Sequence, residues 1–383
     1  MKIPFYELAL LGRVGDEVAQ KIQNELELRV GELGFTLGKE VTLFIGSPAE
    51  FEPSGERCAA ALCFALENGE EHGVKKLMER GVAVIPVASG NGKFADEFPM
   101  PVAELNGLQL DVAGPSGVVL ALLECASLLP RQRRVFISYR RDESTEAALQ
   151  LYAALSSRLY DVFLDTHDIH PGEHFQEVLW QRLCDCDVML FLDTPQYFNS
   201  RWTEAEFGRA TYRGIPFVRA AWPEVPLNER AQLATSIDLK AADFSQPPGH
   251  LTDDAIRRIC DAVEDARTRG VASRYEQLMA TVRHSVTRAR GSLEGISLRR
   301  SFIVKTPKGK SIAIYPSLGV PTSYTLHAAT RDNHPPPVAV VYDDVGIEER
   351  DWQAHMDWIS EHLRNVVRLV KGYRAGWDFA DWN

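Results

Sequence analysis

Val135-Phe-Ile-Ser-Tyr-Arg-Arg-Asp142 puts a short apolar, β-prone run directly before three charged residues, the pattern of a buried strand that ends in a polar loop. Reading outward, the alternation repeats. A helical stretch from Ser144 to Arg158 leads to a strand at Val162 to Leu164, and a helix from Glu173 to Leu183 leads to a strand at Val188 to Leu192. A helix from Thr203 to Arg213 then precedes a strand at Pro216 to Ala221 and a last short strand near Ile237 to Leu239. Five short strands with helices between them predict a flavodoxin-like parallel sheet over residues 131–250, whose ligand crevice lies beyond the carboxyl ends of its strands.

The flanks divide at Leu128-Leu129-Pro130-Arg131-Gln132-Arg133-Arg134 and at Pro247-Pro248-Gly249. Before the first junction, residues 1–128 alternate apolar runs (Glu7 to Leu11, Val41 to Ile45, Ala59 to Ala65, Val82 to Val87) with helical stretches (Asp16 to Leu33, Glu70 to Arg80). A second α/β domain is expected there. After the second junction, residues 251–383 read as helices from Asp253 to Arg269 and from Arg274 to Arg290. Antiparallel strands follow at Ser301 to Lys305, Ser311 to Tyr315, Tyr324 to Ala328 and Val338 to Tyr342, then a helix from Glu348 to Lys371. Trp352, Met356, Ile359, Leu363, Val366 and Val370 would line one face of that last helix as core. The expectation is a helical linker and a small α+β domain.

With 383 residues and 45% apolar content, the chain can build two or three cores. Its net charge of −11 argues against a surface basic all over. One segment departs from that average: Arg267 to Lys310 holds eleven Lys and Arg against Glu276 and Glu294, a net of +9 that leaves −20 for the remainder. It either binds a phosphate-rich ligand, a nucleotide or a nucleic-acid backbone, or pairs with the acidic rest of the chain. The six cysteines lack zinc spacing and sit mostly in apolar runs, as buried reduced thiols do. The N-terminus lacks a signal-peptide core and no apolar run is long enough to span a bilayer, so a cytoplasmic protein without membrane contact is expected.

Three boxes in the middle block, Val135 to Asp142, Val162-Phe-Leu-Asp-Thr-His-Asp-Ile-His-Pro-Gly-Glu-His-Phe175 and Ser200-Arg-Trp-Thr-Glu-Ala-Glu206, resemble in order and spacing those of a TIR (Toll/interleukin-1 receptor) domain. The chain is most similar to the bacterial branch that cleaves NAD+ at its nicotinamide glycosidic bond. The resemblance implies an NAD glycohydrolase or ADP-ribosyl cyclase, an effector of antiphage defence activated by assembly. NAD+ is then the substrate and no cofactor is needed. It also implies homo-oligomerisation through TIR contacts, and a separately encoded sensor partner or the flanking blocks as the source of regulation.

By the same resemblance Glu206 is the catalytic carboxylate, with Glu204 as its internal control. Trp202 and Glu206, four apart on a helix, share a face. Nicotinamide leaves as a neutral molecule from a pyridinium, so the step needs stabilisation of an oxocarbenium-like ribose rather than an acid. Tyr139, Arg140, Arg141, Asp165 and Phe175 complete the expected substrate site. Arg140 and Arg141 either receive the pyrophosphate or pair with Asp142 or Asp165, and Phe175 either lines the nicotinamide side or packs in the core. His167, His170 and His174 surround a Pro171-Gly172 turn in the family's BB loop, and no metal is expected there.

Two other readings stand beside this one. In the first, the middle block is a non-enzymatic scaffold for homotypic TIR contacts. In the second, the protein senses nucleotides or nucleic acid through residues 267–310. Finally, Arg80-Gly81 and Arg213-Gly214 anchor an internal echo between the first two blocks. In that alignment Gly73 stands in place of Glu206 and Gly69 in place of Trp202, so the first block reads as a degenerate TIR-like copy.

Overall fold

The computed structural model describes residues 6–54, 58–67, 69–89, 97–130, 132–164, 175–199, 207–208, 210–296, 301–331, 334–347 and 350–382, with the side chains of 175–178 and 294–296 left aside. The chain forms two compact units. One comprises Met1–Arg131 with Gly295–Phe302, and the other Gln132–Glu294 with Ile303–Asn383.

The first unit runs β1 (Tyr6–Leu11), α1 (Asp16–Glu32), β2 (Val41–Gly46), β3 (Cys58–Cys63), α2 (Glu71–Glu79), β4 (Ala83–Ala88), β5 (Leu108–Gln109) and α3 (Leu110–Cys125). Its sheet order is β2-β1-β3-β4-β5, parallel throughout, as strands joined through helices must be. Leu8, Ala9, Leu10 and Leu11 are all fully buried, because a sheet covered on both faces makes its central strands apolar without alternation.

The second unit begins with β6 (Arg134–Ser138), α4 (Arg141–Ser157), β7 (Asp161–Leu164), α5 (Phe175–Asp185), β8 (Val188–Asp193), β9 (Phe217–Ala221) and β10 (Thr235–Asp238), followed by the short pair β11 (Phe244–Ser245) and β12 (His250–Leu251). Its large sheet runs β10-β9-β8-β6-β7, again parallel. Read from the other edge, the order is second, first, third, fourth, fifth, the flavodoxin-like arrangement expected for this block. The first unit has the same order. Both sheets also enter their fourth strand through a left-handed glycine, Gly81 (φ 81°) and Gly214 (φ 65°), a conformation that a residue with a Cβ adopts only at a cost. These are the two glycines on which the sequence echo was anchored.

The rest of the unit departs from the sequence reading in four respects. The helices expected on either side of Gly270 are one, α6 (Asp253–Arg288). Gly270 serves close packing rather than a break, since a Cβ there would come within 2.5 Å of Pro216 Cγ. The first half of α6 seals the core of the β6–β10 sheet through Ala255, Ile259, Cys260, Val263 and Ala266. Its last turns are fixed by Ser285, whose hydroxyl donates to the Tyr373 carbonyl at 2.9 Å and accepts from the Gly376 N–H at 2.9 Å. At the other end, the Thr252 hydroxyl accepts from the Ala255 N–H at 3.3 Å. Thr252→Ala is expected to lower stability by about 1 kcal/mol, read as a lower urea midpoint at unchanged slope.

The remaining elements are β13 (Ser292–Ile296), β14 (Phe302–Lys305), β15 (Ser311–Ser317), α7 (Ser323–Ala329), β16 (Val338–Tyr342), α8 (Arg350–Leu363), β17 (Val367–Lys371) and α9 (Ala375–Ala380), in the sheet order β13-β14-β15-β16-β17. Residues Tyr324 to Ala328 are therefore helical and not a strand: Thr322 and Thr325 form a capping box that starts a helix there. The helix expected to reach Lys371 stops at Leu363, and Val367 to Lys371 form a strand parallel to β16. Met356 and Ile359 face the core as expected, whereas Leu363 and Val366 are exposed and Val370 is buried from a strand. Because α7 and α8 are crossovers, β15, β16 and β17 are parallel, not antiparallel.

Cys63, Cys184, Cys186 and Cys260 are buried. Burial pushes the Cys63 thiol up to about 12 and the Cys260 thiol up to about 11, so both are neutral and unreactive near pH 7. Among the described residues no helix is long and apolar enough to cross a membrane.

Candidate active site

In a sheet of this order the connections leave in opposite directions from the first and third strands, here β6 and β8, and the gap beyond their carboxyl ends is where ligands bind. The loops that follow β6 and β8 are tied together across that gap. The Tyr197 hydroxyl donates to Ser138 Oγ at 2.8 Å, Arg140 Nη1 donates to the Gln196 carbonyl at 3.0 Å, and the Gln196 N–H donates to Glu143 Oε2 at 3.2 Å.

Arg140 also lies 4.0 Å from Asp142 and 3.9 Å from Glu143, so its guanidinium spans the rim of the gap with acidic neighbours. Arg141 is exposed on the first turn of α4, which begins three residues earlier than the sequence pattern indicated. Tyr139 is buried in the apolar cluster of Val135, Ile137, Leu164 and Leu190, which turns it toward the core side of β6. Asp165, Trp202 and Glu206 lie outside the described residues, as do Glu204, His167, His170 and His174. Phe175 starts α5, and its side chain is likewise not described.

The structure adds residues that the sequence reading did not single out. Asp193 closes β8, and its Oδ2 accepts from Arg219 Nε at 2.5 Å, both side chains being almost wholly buried. Arg219 is held further by Ser236, Asp238 and the carbonyls of Val225 and Pro226. Burial raises the Asp193 carboxyl above its usual range, against the opposing pull of Arg219. Three buried polar atoms have no hydrogen-bond partner at this edge: Arg140 Nε, Asp193 Oδ1 and Thr194 Oγ1. Unsatisfied buried groups are uncommon in a folded chain and cost stability, and among the described residues these three belong to the segments that follow β6 and close β8. Asp193 was legible in principle: it is the one charge in Val188-Met-Leu-Phe-Leu-Asp193, at the strand's carboxyl end.

Residues 135–260 match the sequence model of the TIR domain. No curated protein matches the chain. Among solved structures, the chain is similar to a two-component system response regulator/GGDEF domain protein at 13% identity and a TM-score of 0.30, over 68% of this chain and 98% of that one. It is also similar to a fatty acid ABC transporter substrate-binding protein from Thermomonospora curvata at 13% identity and a TM-score of 0.19, over 82% and 92%. Likenesses this slight carry no argument about function.

Proposed function

Since residues 135–260 form a TIR domain, we propose that this domain cleaves NAD+ between nicotinamide and ribose, with Glu206 as the catalytic carboxylate. The supporting observation is the polar gap between β6 and β8, rimmed by Arg140 and carrying unpartnered Asp193 and Thr194 oxygens, which suits a hydroxyl-rich and phosphate-bearing substrate.

In the proposed step the C1′–N1 bond breaks and its electron pair returns to the pyridinium nitrogen, so nicotinamide leaves neutral. The ribose gains positive charge, which Glu206 counters while it holds the ribose hydroxyls. Water then adds to C1′ and loses a proton, giving ADP-ribose, or a ring nitrogen of the adenine adds and closes a cyclic isomer. Trp202 forms the aromatic wall, Arg140 and Arg141 meet the pyrophosphate, and Asp165 and Phe175 complete the pocket, whereas Tyr139 packs in the core behind it.

Activity of this kind would exhaust the cell's NAD+, so the reading extends to a cytoplasmic effector of antiphage defence that is silent until TIR contacts assemble it. The first unit supports a regulatory place in that scheme. It has the strand order of the TIR domain but reads Leu-Ala-Leu-Leu-Gly12 where the TIR domain has its Ser-Tyr-Arg-Arg box, as a catalytically silent TIR-like copy would. The decisive experiment is an HPLC time course of NAD+ with wild type, Glu206→Ala and Glu204→Ala at concentrations that favour assembly. Nicotinamide release from wild type and Glu204→Ala but not from Glu206→Ala is the expected outcome; equal release from all three would remove Glu206 from the mechanism, and no release from any would leave the scaffold reading in its place.

A further inference from the structure

We infer that the pocket at the carboxyl ends of β15, β16 and β17 is a binding site for the phosphate group of a small organic ligand, gripped by Arg213 and Arg274. This goes beyond the proposed NAD+ cleavage and does not depend on it.

The pocket has a volume of about 400 Å³, within the range of roughly 300–1,000 Å³ usual for small-molecule sites. Its floor comes from three successive parallel strand ends: Ser317 and Leu318 after β15, Asp343 and Val345 after β16, and Gly372 and Tyr373 after β17. In an α/β sheet this is the edge at which ligands bind. The opposite wall is α6, through Arg274, Gln277, Leu278 and Thr281, together with Arg213 from the turn before β9.

Charge decides the ligand class. Arg274 is almost wholly buried, and its hydrogen bonds go to two carbonyls, those of Cys186 at 2.9 Å and Leu318 at 2.7 Å. Among the described residues no carboxylate pairs with it, although an unpaired buried charge is costly. Burial, with Arg213 adding to it, holds this guanidinium below its ordinary range despite the pull of Asp187. Arg213, also buried, donates to the carbonyls of Asp343 and Cys184 and approaches Asp343 Oδ2 at 3.5 Å, yet its Nε has no partner. Two buried arginines thus line one pocket in which, among the described residues, Asp343 is the single carboxylate and is half exposed. An oxyanion supplies the missing counter-charge and the missing acceptor, and guanidinium forks match phosphate oxygens.

The rest of the lining fits an organic remainder. Leu278, Leu318 and Val345 offer apolar surface, and Tyr373 stands exposed at the mouth. The pocket is also far larger than a phosphate alone. Two of the eleven basic residues counted between Arg267 and Lys310 are therefore removed from any exposed basic face: Arg267 is buried in an ion pair with Asp187, and Arg274 lines this pocket.

The test is calorimetric binding and thermal shift on the full chain with inorganic phosphate, 5′-AMP and adenosine as probes, at constant ionic strength. Thr281 is exposed on α6, so Thr281→Glu adds a carboxylate to the pocket without touching either arginine, whereas Arg274→Gln removes the buried cation. Phosphate and AMP should bind wild type and raise its melting temperature, adenosine should not, and Thr281→Glu should bind both phosphates about tenfold more weakly or worse. Arg274→Gln should lose binding, and Thr281→Glu carries the test if that variant fails to fold. No binding of phosphate to wild type, equal binding to Thr281→Glu, or adenosine binding as tightly as AMP would overturn the inference.

Discussion

Glu206→Gln is expected to slow nicotinamide release by a factor of about 100 to 1,000, measured against wild type at matched protein concentration, with the melting temperature of each variant as the control for folding. Glutamine keeps the size of the side chain and can still hydrogen-bond a ribose hydroxyl. It lacks the negative charge, and on the proposed mechanism that charge matters most as the glycosidic bond stretches and the ribose turns cationic. A fixed charge facing a developing one in a site shielded from water is worth about 3–4 kcal/mol, which is the size of the expected loss. Glu204→Gln, two residues earlier, should retain activity. Loss of activity in both variants alike would point to a disturbed segment and not to a catalytic carboxylate.

Arg267→Ala should destabilise the protein by about 3–5 kcal/mol. Arg267 is fully buried. Its Nε donates to Asp187 Oδ2 at 3.2 Å and its Nη2 to the Gln132 carbonyl at 3.1 Å, so it pins α6 to the segments that lead into β6 and β8. Asp187 Oδ2 also accepts from the Arg134 N–H at 3.2 Å. Truncating the arginine leaves a nearly buried carboxylate with that backbone donor but without its hydrogen-bonded cation, and opens a void the length of the lost side chain. The measurement is a urea titration, in which the midpoint should fall while the slope stays near the wild-type value. Combining Arg267→Met with Asp187→Asn should recover part of the loss, because removing both charges avoids an unpaired one. A loss below about 1 kcal/mol for Arg267→Ala, the size of an exposed pair, would show that α6 is held by its apolar face alone.

These two residues mark how far local pattern reaches. The middle block was readable because each strand is a short apolar run that ends at a charge or turn, and parallel order follows once helices connect the strands. The third block misled at Tyr324 to Ala328, where Tyr and Thr favour a strand but the Thr322 and Thr325 caps start a helix. It misled again at Val366 to Val370, where a helix-spaced stripe coincides with a β-branched run that pairs with β16. In both cases pairing with a distant strand, or a cap a few residues upstream, outweighed the periodicity.

Within the site, three TIR-like boxes were legible in the sequence by itself, each expected after a strand, since box order and strand ends are both local features. It could not find the Tyr197–Ser138 bridge, which exists only once β6 and β8 are neighbours, or the Asp193–Arg219 pair, which needs β8 beside β9. Tertiary structure alone decided the fate of the basic segment. Counted along the chain, Arg267 and Arg274 belong to a cationic stretch. In the fold, one is buried against Asp187, 80 positions away, and the other against the carbonyl of Cys186, 88 positions away. Net charge is additive along a sequence, whereas burial and partner choice depend on which distant segments the core brings together.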